Sequence, residues 1–363
     1  MNYKELSEKL LFVLSKYKSI LIYIKGSPDP DVIASSYALK IICDNAGIKS
    51  TISCSTKPSL PQNSAIIKDL DIPIRFEDPL DNLSEYDAYT VLDFQSAFID
   101  GITGKIPCII HIDHHEPIDE DIKIDFKLIM DEAGSISSFF SLIIKEQNMS
   151  INSSLLKKVT TALQYGIFTD TDGYRHANKI DFEALNYLSN YYDKKIIDHV
   201  TKIPVPKHVI SLLSLAISNK EEYKDWIFTG IGFIDESERD SIPIIADFLM
   251  QRFNCSVIIV FAAVARKKPH GLRLDASFRT EDENINLDLL IKRITRSGGG
   301  RKYKGAYQVD MNYFVNCPDK NLLWDVIKCA TIARLKDLRD EIQLIKINGI
   351  YKKVIKKAEN IFK

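Results

Sequence analysis

The sequence predicts an α/β protein: an N-terminal, doubly wound and mainly parallel sheet, then a helical linker and a smaller C-terminal α/β domain. Two observations predict this class. In the first half, short apolar runs alternate with helical patterns, as in parallel sheets whose strands are joined by helices. A second set of strand and helix patterns follows a largely helical stretch, and 363 residues exceed one average domain.

In the first half, the predicted strands are continuous apolar runs of the buried type, at 19–26, 89–94 and 107–113. Apolar residues at helical spacing predict helices over 33–45, in SISSFFSLIIKEQ and in SSLLKKVTTALQYGIFTD. The last of these helices leads into a loop at 169–173.

In the second half, strands are predicted at 226–234, 255–266, 272–280 and in AYQVDM, with helices at 239–252 and 287–295. The prolines of KIPVPKH suit a connection between domains. We therefore predict four parts: an N-terminal domain 1–185, a helical linker 186–222, a smaller domain 223–320 and a helical extension 321–363.

Composition narrows the class of protein. The formal net charge of −1 argues against a general nucleic-acid coat protein, which would be strongly basic, but allows a small phosphorylated ligand. The N-terminus is too charged for a signal peptide, and no apolar run approaches the roughly 20 residues that span a membrane. The six cysteines are scattered without a CxxC pair. We expect reduced thiols, a cytoplasmic protein and no membrane partner.

Four acidic clusters fall at or just after predicted elements of the first half, where ligands bind in an open parallel sheet. They are Asp29 with Asp31, Asp93, Asp113 with His114 and His115, and Asp170. Carboxylates crowded into one crevice repel one another unless cations neutralise them. Hard oxygen ligands with one or two imidazoles suit Mn²⁺ or Mg²⁺, with iron or cobalt as alternatives. Two such ions would favour metal-dependent phosphoester hydrolysis.

These clusters carry a family resemblance. PDPDVIAS, LD at 92–93, DHH at 113–115 and GIFTDTDGY at 166–174 match, in order, the four motifs of the DHH phosphoesterase superfamily. SFRT at 277–280 and SGGGRKYKGA at 297–306 resemble the substrate motifs of its second domain, DHHA1. The resemblance spans about residues 20–310, and lies closest to the nano-RNase or oligoribonuclease and bisphosphonucleotide phosphatase branch. It implies a catalytic DHH domain followed by a substrate-binding DHHA1 domain.

The resemblance implies a role for each matching residue of the first domain. The implied metal ligands are Asp29, Asp31, Asp93, His114 and Asp170, of which Asp93 and Asp170 are the candidates to bridge two ions. His115 would face the scissile phosphate as a donor or acid, and Asp113 would orient the histidine pair. The implied cofactors are two divalent ions, Mn²⁺ before Mg²⁺ or Co²⁺.

The implied substrate-binding residues lie mainly in the second domain. Arg279 would hold a terminal phosphate with its forked guanidinium. Three successive glycines would let the backbone approach phosphate or base; they are Gly298, Gly299 and Gly300. The next residue is Arg301, at a position where many members have histidine. Arg175 and His176, beside the last acidic motif, are candidates for substrate contact, with ordinary loop residues as the alternative.

Lys25 is the main departure from the family pattern. It stands where the first motif usually has a metal-binding histidine, and the chain has no histidine before His111. A protonated lysine cannot ligate a metal. One metal is then held more weakly, or the ammonium supplies part of the missing positive charge and acts in catalysis, or the side chain points to solvent. We favour a weakened or rearranged second metal site.

The resemblance implies a phosphodiesterase that hydrolyses short oligonucleotides or linear dinucleotides to mononucleotides through a metal-activated water. Two alternatives stay open: a 3′,5′-bisphosphonucleotide phosphatase, and a nucleotide-binding protein with impaired catalysis. The expected partners are short RNA or DNA oligonucleotides or small nucleotides, and the chain is compatible with a homodimer. Inorganic pyrophosphate is a poorer candidate, since the pyrophosphatase branch resembles only the first domain.

Overall fold

The computed structural model describes residues 2–58, 60–115, 121–147, 151–267, 270–295 and 298–361, with side chains except those of Lys267 and of residues beyond Ile342. The chain forms two compact units, Met1–Val205 and Pro206–Lys363. The segment 186–222, which the sequence predicts to be a linker, contributes one helix to each unit.

The first unit contains a six-stranded sheet in which every pairing is parallel. Its strands are β1 (Ser19–Ile24), β2 (Lys49–Cys54), β3 (Ile74–Arg75), β4 (Ala88–Leu92), β5 (Cys108–Asp113) and β6 (Phe126–Ile129). The order is β3-β2-β1-β4-β5-β6. The chain thus builds outward from β1 in one direction and from β4 in the other, which confirms the doubly wound sheet and places its switch point between β1 and β4.

Seven helices surround this sheet in the described part of the first unit. They are α1 (Tyr3–Leu14), α2 (Pro30–Asn45), α3 (Pro61–Asp69), α4 (Ile136–Gln147), α5 (Ser153–Asp170), α6 (Lys179–Leu188) and α7 (Lys194–Thr201). A short 3-10 segment, Pro79–Glu85, precedes β4. α2 begins where it does because Asp29 caps it, accepting from the Val32 amide at 3.0 Å, and because Pro30 is preset for the first helical position.

The core of the first unit explains which strands the sequence could predict. Ile20, Ile22 and Ile24 of β1 are fully buried and pack in a cluster with side chains of α2 and α4. Burying each such side chain stabilises the fold by about 1.5–3 kcal/mol. β2 has no continuous apolar run: its sequence, KSTISC, is largely polar, so the pattern of a buried strand is missing. Ser50 and Ser53 are nevertheless buried in it.

The second unit contains a six-stranded mixed sheet. Its strands are β7 (Glu221–Tyr223), β8 (Trp226–Asp235), β9 (Val257–Lys267), β10 (His270–Thr280), β11 (Gly299–Gly300) and β12 (Lys304–Asp310). The order is β11-β12-β10-β9-β8-β7, and only β8 and β9 pair in parallel. This unit is therefore α/β in composition but mainly antiparallel.

The helices of the second unit are α8 (Lys207–Ser218), α9 (Ser241–Met250), α10 (Leu287–Ile291) and α11 (Lys320–Ile361). Apolar side chains fill both faces of its central strands: Phe228 and Phe261 belong to one buried cluster, and Ile258 and Val260 belong to another that includes α9. None of the described helices is both long and apolar enough to cross a membrane.

Candidate metal centre

Four of the predicted ligands converge beyond the carboxyl end of the sheet, at its switch point. Asp31 lies in the first turn of α2, Asp93 follows β4, His114 follows β5, and Asp170 ends α5. One ligand atom from each of these residues lies within 4.8 Å of the others. This four-residue group offers three carboxylates and one imidazole, the donors that suit a hard or borderline divalent cation.

Asp93 has a backbone conformation that is uncommon for a residue with a side chain. Its φ is +53°, a region that aspartate tolerates better than most residues. Its amide donates to Ile112 O of β5 at 2.9 Å, which holds the turn after β4. Oδ1 of Asp93 is buried and accepts no hydrogen bond from the described residues, although His114 Nε2 lies 3.1 Å away. A buried carboxylate oxygen without a donor fits a site that takes a cation.

His114 is prepared as a ligand by the hydrogen bond of its other ring nitrogen. Nδ1 lies 3.1 Å from Ala133 O, and because a carbonyl can only accept, Nδ1 carries the proton. Nε2 therefore presents its lone pair to the group, 3.1 Å from Asp93 Oδ1 and 3.2 Å from Asp170 Oδ2. A backbone carbonyl that fixes the tautomer in this way is typical of metal-bound histidines.

The electrostatics of the group favour a bound cation. Asp31 is fully buried, and burial together with the negative charges of Asp170 and Asp93 raises its pKa well above the ordinary value. The charged form of Asp31 is therefore disfavoured while its carboxylate neighbours are not neutralised. A divalent cation at the four-residue group would offset this repulsion.

Asp113 and His115 form a pair beside the four-residue group. His115 Nδ1 donates to Asp113 Oδ1 at 2.7 Å. Burial would raise the pKa of Asp113, but this hydrogen bond and the neighbouring imidazoles lower it to about 2. Asp113 therefore stays a carboxylate and orients the ring of His115, whose side chain is 20% exposed. His115 also forms a three-residue group with Asp93 and His114 that could hold a metal ion.

Comparisons with known proteins show which chains this protein resembles. No family model matches the chain. The uncharacterized protein MJ1633 of Methanocaldococcus jannaschii is 29% identical over 326 residues, which cover 89% of this chain and only 64% of that protein. An exopolyphosphatase-related protein from Bacteroides fragilis has a similar structure, with a TM-score of 0.63, 18% identity, and coverage of 84% of this chain and 90% of that one.

The chain therefore shares its fold with that exopolyphosphatase-related protein. The expectation drawn from the ordered sequence motifs is therefore confirmed at the level of the fold. The buried acidic and histidine residues at the end of the first unit's sheet could hold a metal ion, as the sequence predicts.

Asp29 and Lys25, unlike the four ligands above, have their side chains engaged outside the four-residue group. The carboxylate of Asp29 caps α2, and Asp29 is in neither metal-ligand group found among the described residues. Lys25 Nζ donates to Phe98 O at 3.1 Å and lies 4.5 Å from the centre of the Phe94 ring. The ammonium is thus held on the segment that follows β4, where a carbonyl and an aromatic face both favour a cation.

Arg175 and His176 lie in the turn after α5. The Arg175 guanidinium is 3.4 Å from Asp172 Oδ2, and its side chain is 45% exposed. The His176 amide donates to Thr171 O at 3.0 Å. Asp172 and Tyr174 in the same turn have positive φ values of +53° and +72°.

In the second unit, Arg279 is held by the protein itself. Its side chain makes a two-point pair with Asp247 of α9, with Nε to Oδ1 at 2.5 Å and Nη2 to Oδ2 at 3.1 Å, and Nη1 donates to Phe278 O. Arg279 is 8% exposed. A phosphate would have to share this guanidinium with Asp247, a partner 32 positions away that no local pattern indicates.

The glycines of the second unit are needed first for packing. A Cβ on Gly298 would lie 2.6 Å from both Ile291 and Tyr307, and one on Gly300 would lie 2.3 Å from Lys304 O. The Gly300 amide donates to the buried carboxylate of Asp288 at 3.1 Å. Gly299 pairs with Ala306 across β11 and β12, and the Arg301 amide donates to Lys304 O at 2.7 Å. The close approach that requires glycine is thus an approach of protein to protein.

Proposed function

We propose that this protein is a metal-dependent phosphodiesterase that hydrolyses short oligonucleotides or linear dinucleotides to mononucleotides. The observation that carries the proposal is the four-residue group of Asp31, Asp93, His114 and Asp170, set at the switch point of a DHH fold. Hard ligands at this place suit Mn²⁺ best, with Mg²⁺ and Co²⁺ as alternatives.

The residues of the site would have two roles in hydrolysis, metal binding and proton transfer. A divalent ion, when bound, supplies a Lewis acid and lowers the pKa of a coordinated water. Asp31, Asp93, Asp170 and His114 would hold that ion. His115 is the partly exposed imidazole beside the group, with Nδ1 fixed on Asp113, so its Nε2 can hold or donate a proton at the substrate.

The second ion of a two-metal site would have fewer ligands. Lys25 stands in place of a histidine, and its ammonium is engaged by Phe98 O and the Phe94 ring. We therefore propose one tightly held ion and a second site that Lys25 weakens.

The variant Lys25→His tests the role of this position. Because the change replaces an ammonium by an imidazole, it should tighten the weaker of two Mn²⁺ binding steps by about tenfold, and isothermal titration calorimetry would measure it. The matched control is Lys57→His at an exposed lysine of the same unit. A stoichiometry and affinity unchanged from the wild type would contradict a weakened second site.

The substrate class is proposed from the second-unit motifs SFRT and SGGGRKYKGA. A direct assay compares pApA, a short RNA, adenosine 3′,5′-bisphosphate and pyrophosphate, each with saturating Mn²⁺. The proposal predicts that pApA and short RNA are cleaved fastest. Preferred cleavage of the bisphosphate would favour the phosphatase alternative, binding without turnover would favour a nucleotide-binding protein, and cleavage of pyrophosphate alone would overturn our assignment of the second unit.

A further inference from the structure

Residues 133–137 lie against the four-residue group. This segment follows β6 and includes the first two residues of α4. Asp31 receives hydrogen bonds from three successive residues of this segment. Ser135 Oγ, Ser137 N and Ser137 Oγ donate to Asp31 Oδ1 at 2.8, 2.8 and 2.5 Å, and the Ile136 amide donates to Oδ2 at 2.9 Å. All four groups are buried.

These bonds leave Oδ2 as the less occupied oxygen of Asp31. Three donors at or below 2.8 Å occupy Oδ1, whereas Oδ2 accepts one amide in this set. A carboxylate oxygen has about two acceptor positions, so Oδ2 retains one for a cation. The donors also offset the cost of burying the charge, and amides in the first turn of a helix add a favourable dipole. The segment therefore fixes the direction of the Asp31 carboxylate.

The same segment orients a second ligand. Ala133 O accepts the hydrogen bond of His114 Nδ1 at 3.1 Å, which directs Nε2 toward Asp93 and Asp170. The same short segment thus orients Asp31 from α2 and His114 from the end of β5.

The segment is itself held in place. The Gly134 amide donates to Oδ2 of Asp181 at 3.0 Å, and Ser138 Oγ donates to Oδ1 at 2.6 Å. The Asn178 amide also donates to Asp181 Oδ2, at 2.9 Å. Asp181 is fully buried, so it connects the segment rigidly to the start of α6.

We propose that residues 133–137 are a positioning element of the metal centre, in which Ser135 and Ser137 set the affinity for the ion through Asp31. The proposal rests on the proposed function only in taking the four-residue group as a metal centre. Outer partners of metal ligands typically contribute about 10–100-fold in metal affinity or activity.

The test is the Mn²⁺ dissociation constant of the variant Ser135→Ala/Ser137→Ala, measured by isothermal titration calorimetry without substrate. We expect it to rise about 10–100-fold. The matched control is Ser141→Ala, a fully buried serine of α4 whose hydroxyl donates only to Ser137 O among the described contacts. Its dissociation constant should stay within about threefold of the wild type, even if its unfolding midpoint falls.

Each outcome decides the proposal. A dissociation constant of the double variant equal to that of Ser141→Ala, with native circular dichroism, would overturn it. If the double variant does not fold, Ser135→Ala alone removes one donor and should still weaken Mn²⁺ binding severalfold; no change there would equally overturn the proposal. A wild-type protein that binds no Mn²⁺ would instead overturn the proposed function and this inference together.

Discussion

The variant Asp93→Ala is expected to lose divalent-metal binding and hydrolysis together. Asp93 and His114 belong to both metal-ligand groups among the described residues, and Asp93 is the carboxylate common to the two. Its buried Oδ1 lies 3.1 Å from His114 Nε2 and 3.7 Å from His115 Nδ1. Removing the Asp93 carboxylate should lower metal affinity and activity by more than the roughly 10–100-fold that follows loss of an outer partner of a ligand. Mn²⁺ titration and the rate of pApA cleavage would measure the two losses.

The control for this variant is Asp100→Asn, at an exposed aspartate of the same unit. It should leave both quantities within about twofold of the wild type, since a surface substitution away from special features changes little. Retention of wild-type turnover by Asp93→Ala would contradict the assignment of the metal centre.

The variant Gly134→Ala is expected to destabilise the first unit and weaken metal binding at once. A Cβ at this position would lie 2.6 Å from Thr171 Cγ2 and 2.7 Å from Asp181 Oδ2. Overpacking of this kind typically costs about 1–3 kcal/mol in the free energy of unfolding. The displaced backbone would also disturb the neighbouring Ala133 carbonyl on which His114 depends.

Urea unfolding and Mn²⁺ titration would measure the two effects of Gly134→Ala. The matched control is Gly47→Asn, because Gly47 has a φ of +73° that asparagine tolerates, with no atom within 4 Å of the added Cβ. We expect little change in that control. Wild-type stability and affinity in Gly134→Ala would contradict the rigid connection through Asp181.

The sequence predicts those strands of the first unit that are continuous apolar runs. Strands such as β1 and β5 are continuous apolar runs because both faces of the parallel sheet are covered. Asp31, Asp93 and His114 come after β1, β4 and β5 in the chain. The rule for ligands in open sheets therefore predicts that they meet before any distance is known. The sequence does not predict β2, because its serines are buried although serines are typical of an exposed segment.

The contacts that tune the site depend on residues distant in sequence. Asp31 and Ser135 are separated by 104 positions, so nothing in the local pattern indicates that they meet. The cluster AGSIS before a helix does suggest a helix start, but not what its amides bind. Arg279 and Asp247 pair in the same way across 32 positions, and only the folded arrangement relates them.

The most direct test of metal-dependent phosphodiester hydrolysis is the cleavage of pApA by metal-depleted protein before and after addition of Mn²⁺. We predict no cleavage in the presence of a chelator, cleavage to mononucleotides on adding Mn²⁺ to the wild type, and none on adding it to Asp93→Ala. Cleavage that is equally fast with the chelator, or that persists in Asp93→Ala, would contradict the account.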